Sequence, residues 1–385
     1  MSKESPPLFN PELRKKFKLA EKLLGKSKTR FGEPVLERNE RILQTLRWLS
    51  PILPREVELA GLFYQLPPHL HDQISPKVRR IVRDSLELSK ASEDKPVDLL
   101  NKLKEGHIKP SAALVHMAAG MATLDNPRIP EEERRHIGRV LADIYAPLML
   151  TVGLHWASHS IGNTGFMHGY PEEYAQVSES LVAGERHFEE KILPVLREHI
   201  RNAGEQMKLH YEFSHRIKQP YSAFMKLRNF FGHGNEISPD ARLLPDAVGM
   251  RVVLDGEDKK CYELLNKLRE NHELQVNLNH DYIRNPKPNG YRSLHLNIRR
   301  VGDPNSYELQ IRTHTMHSEV EGNSAKLLHH VHKLTHFPSD SISIIKEIAR
   351  HSSEPVEATW LGGKTFRRGK KRRERVRNIA RRRPL

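Results

Sequence analysis

Two segments near residue 300 alternate polar and apolar side chains, and they constrain the fold more than any other part of the sequence. One reads Ser-Leu-His-Leu-Asn-Ile at residues 293–298, and the other reads Tyr-Glu-Leu-Gln-Ile-Arg-Thr at residues 307–313. Because successive side chains of a strand point to opposite faces, they predict strands over residues 292–299 and 306–313, each with one apolar face. A buried-strand pattern at residues 246–254 and an amphipathic helix at residues 258–271 precede them, which indicates a sheet domain.

The first 200 residues have helical periodicity instead. Apolar residues recur every three or four positions in residues 37–49 and 77–88, and residues 131–148 and 172–203 continue in the same manner. Gly204 is predicted to be the C-cap of the last helix.

We therefore predict an α+β fold with three parts. These are an all-helical domain over residues 1–204, a mixed-sheet domain over residues 205–336 and a C-terminal extension over residues 337–385. The net charge is +15, but the last 22 residues hold 12 Lys or Arg and one Glu, so the remaining body carries only about +4. The basic tail is predicted either to contact RNA or the ribosome through phosphates or to be a solubilising segment.

The first candidate site is a cationic segment. Arg216 and Lys218 precede Pro220, which suits the first turn of a helix, and Ser222 and Lys226 then share one helix face at i and i+4. A helix N-terminus flanked by cations suits polyphosphate, and the alternative is a solvated basic surface.

Asp246 opens the strand predicted at residues 246–254, with Arg251 five residues further on. In a phosphoryl-transfer site such an aspartate holds Mg²⁺, and otherwise it is a cap or turn residue. The odd offset puts the two side chains on opposite faces of an ideal strand, so both reach one ligand only if the strand twists or bulges.

The third candidate is the loop over residues 281–295, which reads DYIRNPKPNGYRSLH. Two prolines and an Asn-Gly pair make it rigid. Tyr291 offers a face for stacking on a nucleobase, and Asn289 can read a base edge. The alternative is an ordinary hairpin loop.

The fourth candidate is the polar face of the last strand, formed by Glu308, Gln310 and Arg312. Beside a nucleotide loop it is predicted to line a cleft, with Glu308 as a base or metal ligand, and the alternative is a solvated sheet face.

In this order, the four pieces resemble the synthetase domain of the RelA/SpoT family, which makes the alarmones pppGpp and ppGpp. DYIRNPKPNGYRSLH, the following ELQIRT and Met316-His317 carry the resemblance, which covers residues 211–321. It implies a nucleotidyltransferase-like mixed sheet. It also implies a GTP pyrophosphokinase of the stringent response, which transfers pyrophosphate from ATP to the 3′-hydroxyl of GDP or GTP with Mg²⁺ as cofactor.

The resemblance also implies residue roles. Arg216 and Arg251 would sandwich the adenine of ATP, and Lys218, Ser222 and Lys226 would hold its phosphates. Asp246 and Glu308 would bind Mg²⁺, and Glu308 would also be the base that activates the acceptor hydroxyl. Tyr291 would stack on guanine. The acceptor side would further be lined by Lys287, Asn289, His295, Gln310 and Arg312.

The helical half resembles the family's HD hydrolase domain after loss of its metal ligands. Where the family has His-Asp, this chain has Tyr64-Gln65, and a later Asp and Asn align with His116 and Gly120. The resemblance therefore implies a synthetase without hydrolase activity, with a helical half that is supportive or regulatory. Only Asp281 of the charged tetrad before NPKPNGY is present, so the preference between GDP and GTP stays open. The family's C-terminal TGS and ACT modules are expected to be absent.

Two rival functions stay open. One is a toxin-like pyrophosphotransferase that acts on tRNA 3′ ends, and the other is a non-catalytic RNA-binding pseudoenzyme. The single cysteine, Cys261, fits a reducing cytoplasmic location, and the longest apolar stretch, residues 144–154, is too short for a membrane span. We expect a cytoplasmic protein without a membrane partner.

Overall fold

A computed structural model describes residues 11–49, 53–94, 110–151, 155–231, 240–287 and 290–322. They form two compact units, one containing the described residues up to Leu148 and the other those from Met149 onward. Among these residues, no helix combines the length and apolar character that crossing a membrane requires.

The first unit is helical, as its periodicity predicts. Its helices are α1 (Pro11–Leu24), α2 (Val35–Leu49), α3 (Arg55–Leu62), α4 (Pro76–Asp94), α5 (Pro110–Leu124) and α6 (Glu131–Val140). A π-helical turn, Leu141–Tyr145, continues α6 into α7 (Ala146–Thr151). The mostly apolar α5 packs against both α2 and α4, which makes it the centre of this unit.

The second unit combines helices with one sheet. Its helices are α8 (His155–Gly169), α9 (Pro171–His187), α10 (Leu193–Gln206), α11 (Pro220–Phe231), α12 (Lys259–Arg269) and α13 (His314–Gly322). Its strands are β1 (Tyr211–Ile217), β2 (Val248–Leu254), β3 (Leu274–Asp281), β4 (Leu294–Arg300) and β5 (Tyr307–Thr313). The α+β class is therefore confirmed.

The sheet is mixed and has the strand order β1-β2-β5-β4-β3. Only the β2–β5 pair among the described strands is parallel. Three strands match sequence predictions, whereas β1 and β3 were not predicted. In the structure, β1 alternates half-buried with exposed residues. In β3 the sequence itself alternates, since Leu274, Val276 and Leu278 are separated by polar residues.

The two faces of the sheet differ in polarity. Helices α10 and α12 pack against the apolar face, where the core includes Leu196, Met250 and Leu309. The amphipathic prediction for α12 is confirmed, with its apolar residues buried: Cys261, Leu264, Leu265 and Leu268. The opposite face carries the polar side chains of β1, β2, β5 and β4, so the helices leave one sheet face available for chemistry.

The prediction that Gly204 caps a helix is wrong. Helix α10 continues to Gln206, and the left-handed residue after it is Lys208, with φ of 49°. Gly204 lies where a Cβ would come within 2.8 Å of the Tyr211 ring, so close packing against β1 explains the glycine. Residue 204 lies near the change from helix to strand, whereas the boundary between compact units follows Leu148. The three-part domain division stays a prediction.

Candidate active site

Asp246 lies in the loop before β2, not in the strand. Strand β2 begins at Val248, and the Ala247 carbonyl accepts a hydrogen bond of 2.8 Å from the Lys218 backbone amide. The expectation that Asp246 opens the strand is therefore wrong. Strand alternation does not set its direction, so no twist or bulge is needed for it to act beside Arg251.

Two lysines hold the Asp246 carboxylate. Nζ of Lys218 lies 2.8 Å, and Nζ of Lys226 2.7 Å, from Asp246 Oδ2. The Asp246 side chain is 19% exposed. Burial opposes its charged form, but the two ammonium groups outweigh burial and lower the pKa of Asp246 to about 2. Burial, together with the charges of Lys226 and Arg216, outweighs the pull of Asp246 and lowers the pKa of Lys218.

Strand register places the two predicted arginines on one face. Arg216 of β1 pairs with Gly249 of β2, which pairs with Glu308 of β5. Arg251 is two residues beyond Gly249 and so lies on the same face. A Cβ on Gly249 would meet nothing within 4 Å, so this face of the sheet is open at Gly249, between the strand positions of the two arginines.

Four polar side chains on β4, on β5 and before β4 form a closed set of contacts, which we call the polar ring. Oη of Tyr291 lies 2.7 Å from Nε2 of His295, and Nδ1 of His295 lies 3.3 Å from Oε2 of Glu308. Gln310 closes the ring: its Nε2 donates to Glu308 Oε1 at 2.8 Å, and its Oε1 lies 3.3 Å from Tyr291 Oη. The sequence predicted each of these residues, and the fold brings the four together.

Proton positions in this ring follow from the charge of Glu308. Burial opposes the charged form, but the hydrogen bond and charge of His295 and the hydrogen bond of Gln310 outweigh it and lower the pKa of Glu308. An ionised Glu308 only accepts, so His295 donates through Nδ1–H. When His295 is neutral, its Nε2 accepts from the Tyr291 hydroxyl, whose pKa burial raises to about 12. The ring therefore directs protons toward Glu308.

The loop before β4 places the Lys287 ammonium group beside the aromatic rings of Tyr282 and Tyr291. Nζ of Lys287 lies 4.4 Å from the centroid of Tyr282 and 5.2 Å from that of Tyr291. Burial lowers the pKa of Lys287 against the pull of Glu308. Asn289 lies outside the described residues. Tyr282 was not singled out from the sequence, although it stands within the quoted motif.

Asp281, the retained member of the tetrad, organises the loop. Its Oδ1 accepts backbone hydrogen bonds from Ile283 at 3.1 Å and Arg284 at 3.0 Å, and both carboxylate oxygens lie 3.0 Å from Tyr262 Oη. Both oxygens of the Asp281 carboxylate are therefore engaged by groups of the protein. Asp281 therefore shapes the loop.

Two candidates, Ser222 and Arg312, lie outside the contacts described so far. Ser222 is on α11 as predicted, and its hydroxyl contacts Nδ1 of His159 on α8 at 3.3 Å. Arg312 is on the predicted strand but only 3% exposed, and its charge acts on Tyr291. His159 had no sequence signal, since it is one of 23 histidines and lies 63 residues before Ser222.

Two carboxylates at this site suit a divalent metal ion. Asp246 Oδ1 is buried and has no hydrogen-bond partner among the residues that the structure describes. Glu308 is tied to this loop because its backbone amide donates to the carbonyl of Pro245, the residue before Asp246. In the described ranges there is no cluster of three or more His, Cys, Asp or Glu that would hold a metal alone. One or two carboxylates completed by substrate phosphates are typical of Mg²⁺.

The four positions that the family resemblance aligns with hydrolase residues share one cavity in the first unit. Tyr64, Gln65, His116 and Gly120 all line a cavity of about 170 Å³. The four positions, which come from two separate segments of the sequence, are therefore close together in the structure.

Residues 215–333 match the family model described as "Region found in RelA / SpoT proteins". Over 354 residues the chain is 25% identical to an Aquifex aeolicus protein named guanosine-3′,5′-bis(diphosphate) 3′-pyrophosphohydrolase, with 87% of this chain and 48% of that protein covered. Over 278 residues it is 27% identical to a GTP pyrophosphokinase of Myxococcus xanthus, with 71% and 34% covered. The chain thus spans about half or less of the length of these curated relatives.

A crystal structure of small alarmone synthetase 2 from Bacillus subtilis is similar with a TM-score of 0.31. The two sequences are 24% identical, and the match covers 47% of this chain and 94% of that one.

Proposed function

We propose, from the premise that residues 215–333 are a RelA/SpoT region, that this chain transfers pyrophosphate from ATP to the 3′-hydroxyl of GDP or GTP. The products would be ppGpp or pppGpp. The observation that carries the proposal is that the backbone amide of Glu308 donates to the carbonyl of Pro245, the residue before Asp246. Asp246 with its two lysines and Glu308 with its polar ring are therefore held at one site, which combines a cationic clamp, a place for a metal and a base.

The ATP side of the site would be built from β1, β2 and α11. Arg216 and Arg251 flank the open floor at Gly249, a slot in which an adenine ring can lie between two guanidinium planes. Lys218 and Lys226 would bind the triphosphate, since their ammonium groups already converge on one carboxylate oxygen. Ser222 would add a hydroxyl donor from the same helix as Lys226.

Mg²⁺ would be held by Asp246, through its unpartnered Oδ1, and by Glu308. When bound, it would neutralise charge that develops on the phosphate oxygens.

The acceptor side would be built from β4, β5 and the loop before β4. The Tyr291 ring is held by the bond of its hydroxyl to His295, so its face is preset for stacking on guanine. Lys287 brings a cation beside that face. Asn289 and Arg312 are also proposed to line this side.

In the proposed reaction, Glu308 takes the proton of the acceptor 3′-hydroxyl. The acceptor oxygen forms a bond to the β-phosphorus of ATP, and the bond from that phosphorus to the α–β bridging oxygen breaks, so AMP leaves. His295 and Gln310 each hold one carboxylate oxygen of Glu308, which fixes the base. Most of the rate enhancement would come from alignment and charge neutralisation.

We further propose that the chain does not hydrolyse alarmones. The cavity positions that correspond to the lost ligands carry Tyr64, Gln65, His116 and Gly120, which do not form a carboxylate and histidine set for a catalytic metal.

The test is transfer of label from ATP labelled in its β- and γ-phosphates. We expect label in the 3′ position of GDP or GTP, lost with Glu308→Gln, and no release of pyrophosphate from ppGpp in the presence of Mn²⁺. Label that appears only in tRNA would replace the proposed acceptor with tRNA 3′ ends. No transfer to any acceptor would support the RNA-binding pseudoenzyme.

A further inference from the structure

Arg38 of α2 is a buried arginine that lines the cavity of the first unit. The residue is only 8% exposed. Nε donates to Thr123 Oγ1 at 3.0 Å, and the guanidinium carbon lies 5.2 Å from the centroid of the Tyr64 ring. The Tyr64 ring and the Thr123 hydroxyl thus hold the guanidinium at the cavity wall.

The acidic residues around this cavity already have arginine partners. Glu33 forms an ion pair with Arg41, and Glu133 forms one with Arg30. Arg38 has no carboxylate within ion-pair distance among the residues that the structure describes. Burial lowers the pKa of Arg38 against the pull of Tyr64 and of Glu33, which does not touch it. A buried cation without a carboxylate in contact is unfavourable, because it has lost its water and gains only a distant opposite charge.

Two histidines complete this wall of the cavity. His116 is held through Nδ1 by Tyr145 Oη at 2.6 Å, and burial lowers its pKa to about 4, so it is neutral near pH 7. His136 also lines the cavity, and its buried Nε2 has no hydrogen-bond partner in the described part of the chain. Arg38, His116 and His136 all line this one cavity, so the three groups are close together.

We infer that this cavity binds a phosphate or diphosphate group without a metal ion, with the Arg38 guanidinium as counterion and His136 Nε2 as a further donor. A guanidinium matches the oxygens of a phosphate by paired hydrogen bonds. A bound anion would also place an opposite charge in contact with Arg38, which no described carboxylate does. This site is separate from the proposed transfer reaction, because every residue that lines the cavity belongs to the first unit.

The experiment titrates the full chain with inorganic pyrophosphate by calorimetry, in wild type, Arg38→Met and Arg47→Met. Arg47 is the matched control: it lies on the same helix, pairs with Glu58 and does not line the cavity. The proposed transfer site also binds phosphates, so wild type and Arg47→Met should each show two sites. Arg38→Met should weaken one of them about tenfold or more, since a charged hydrogen bond is lost.

A parallel titration with GDP distinguishes free diphosphate from the diphosphate of a nucleotide. Loss of a site for either probe in Arg38→Met supports the inference and identifies the source. Equal binding of both probes by wild type and Arg38→Met overturns it.

A second measurement uses the wild-type chain alone and so does not depend on how Arg38→Met folds. Arginines are modified with phenylglyoxal, and the modified positions are mapped by mass spectrometry with and without pyrophosphate. We expect pyrophosphate to slow modification of Arg38 and not of Arg47. The same modification is repeated with GDP. If neither pyrophosphate nor GDP changes the rate of modification at Arg38, the inference is contradicted.

Discussion

The backbone amide of Glu308 donates a hydrogen bond of 2.7 Å to the carbonyl of Pro245. Pro245 immediately precedes Asp246, so this bond joins the base proposed for the acceptor to the carboxylate proposed for the metal. The partner is a proline carbonyl in a loop, which lies outside the ladder that continues through Gly249 and Glu308. The backbone thereby ties the two segments that carry the carboxylates, independently of the side-chain contacts that Asp246 and Glu308 make.

Replacing Glu308 with Gln should remove transfer activity while the fold is kept. The amide is close in shape to the carboxylate but cannot accept the acceptor proton, so we expect a loss of kcat of about 10²- to 10⁴-fold. Labelled transfer to GDP measures it. Glu273→Gln, at an exposed glutamate before β3, is the control and should retain activity. Full activity in Glu308→Gln would remove Glu308 from the mechanism.

Replacing Gly249 with Leu should weaken ATP binding without unfolding the sheet. The side chain would fill the open space at Gly249, and overpacking of about 1–3 kcal/mol against bound ATP corresponds to a rise in the KM for ATP of roughly 5- to 160-fold. The melting temperature should not fall, because glycine is itself unfavourable inside a strand. Gly249→Ala should have a smaller effect on the same KM. An unchanged KM for ATP in Gly249→Leu would show that the adenine lies elsewhere.

Asp246 should make stability depend on acid pH. Its pKa is about 2 in the folded chain and 3.8 in its ordinary state, so its contribution is complete above about pH 4 and is lost as the pH falls through 2. The shift corresponds to roughly 2 kcal/mol. Urea unfolding at pH 6 and near pH 2 should show the difference between wild type and Asp246→Asn shrinking by about that amount.

Asp240→Asn is the control for this titration. Asp240 has its pKa lowered by the exposed Arg242, and solvent weakens that pair, so the same comparison should give a smaller change. A difference for Asp246→Asn that does not vary with pH would contradict the ion-pair assignment.

Replacing Gly162 with Ala should reduce activity from outside the site. A Cβ at Gly162 of α8 would overlap the Tyr221 ring at the start of α11, the helix that carries Lys226. We expect a loss of about 1–3 kcal/mol in unfolding free energy and a lower kcat, although alanine is intrinsically better than glycine in a helix. In Gly184→Ala the new Cβ would only touch Arg242 at 3.5 Å, so stability should rise or stay level. Thermal unfolding and labelled transfer measure both variants.

The parts of the fold that follow from local patterns were predictable. In residues 307–313 the apolar positions of the alternating pattern are buried, and the apolar face of α12 is likewise the face that is buried. Strand β1 was not predicted, because its burial alternates between half-buried and exposed and its cations suggested a surface segment. Strand β3 was missed although its alternation was readable.

Contacts between distant residues were harder to predict than elements. The sequence suggested that Lys218, Lys226 and Asp246 serve one ligand, but not that both lysines hold the aspartate itself. That arrangement depends on where the loop before β2 meets α11. The ring through Tyr291, His295, Glu308 and Gln310 likewise depends on the register of β4 and β5, which no single segment specifies.

Strand β5 comes last in sequence among the five strands but lies third in the sheet, between β2 and β4. A ribosome therefore finishes every other strand before it makes the one that joins them. Until residue 313 has been made, β1 and β2 can pair with each other, and so can β3 and β4, yet the two halves have no shared strand. Asp246 and Glu308 consequently meet only when synthesis is past this point, and a chain that stalls earlier lacks half of the proposed site.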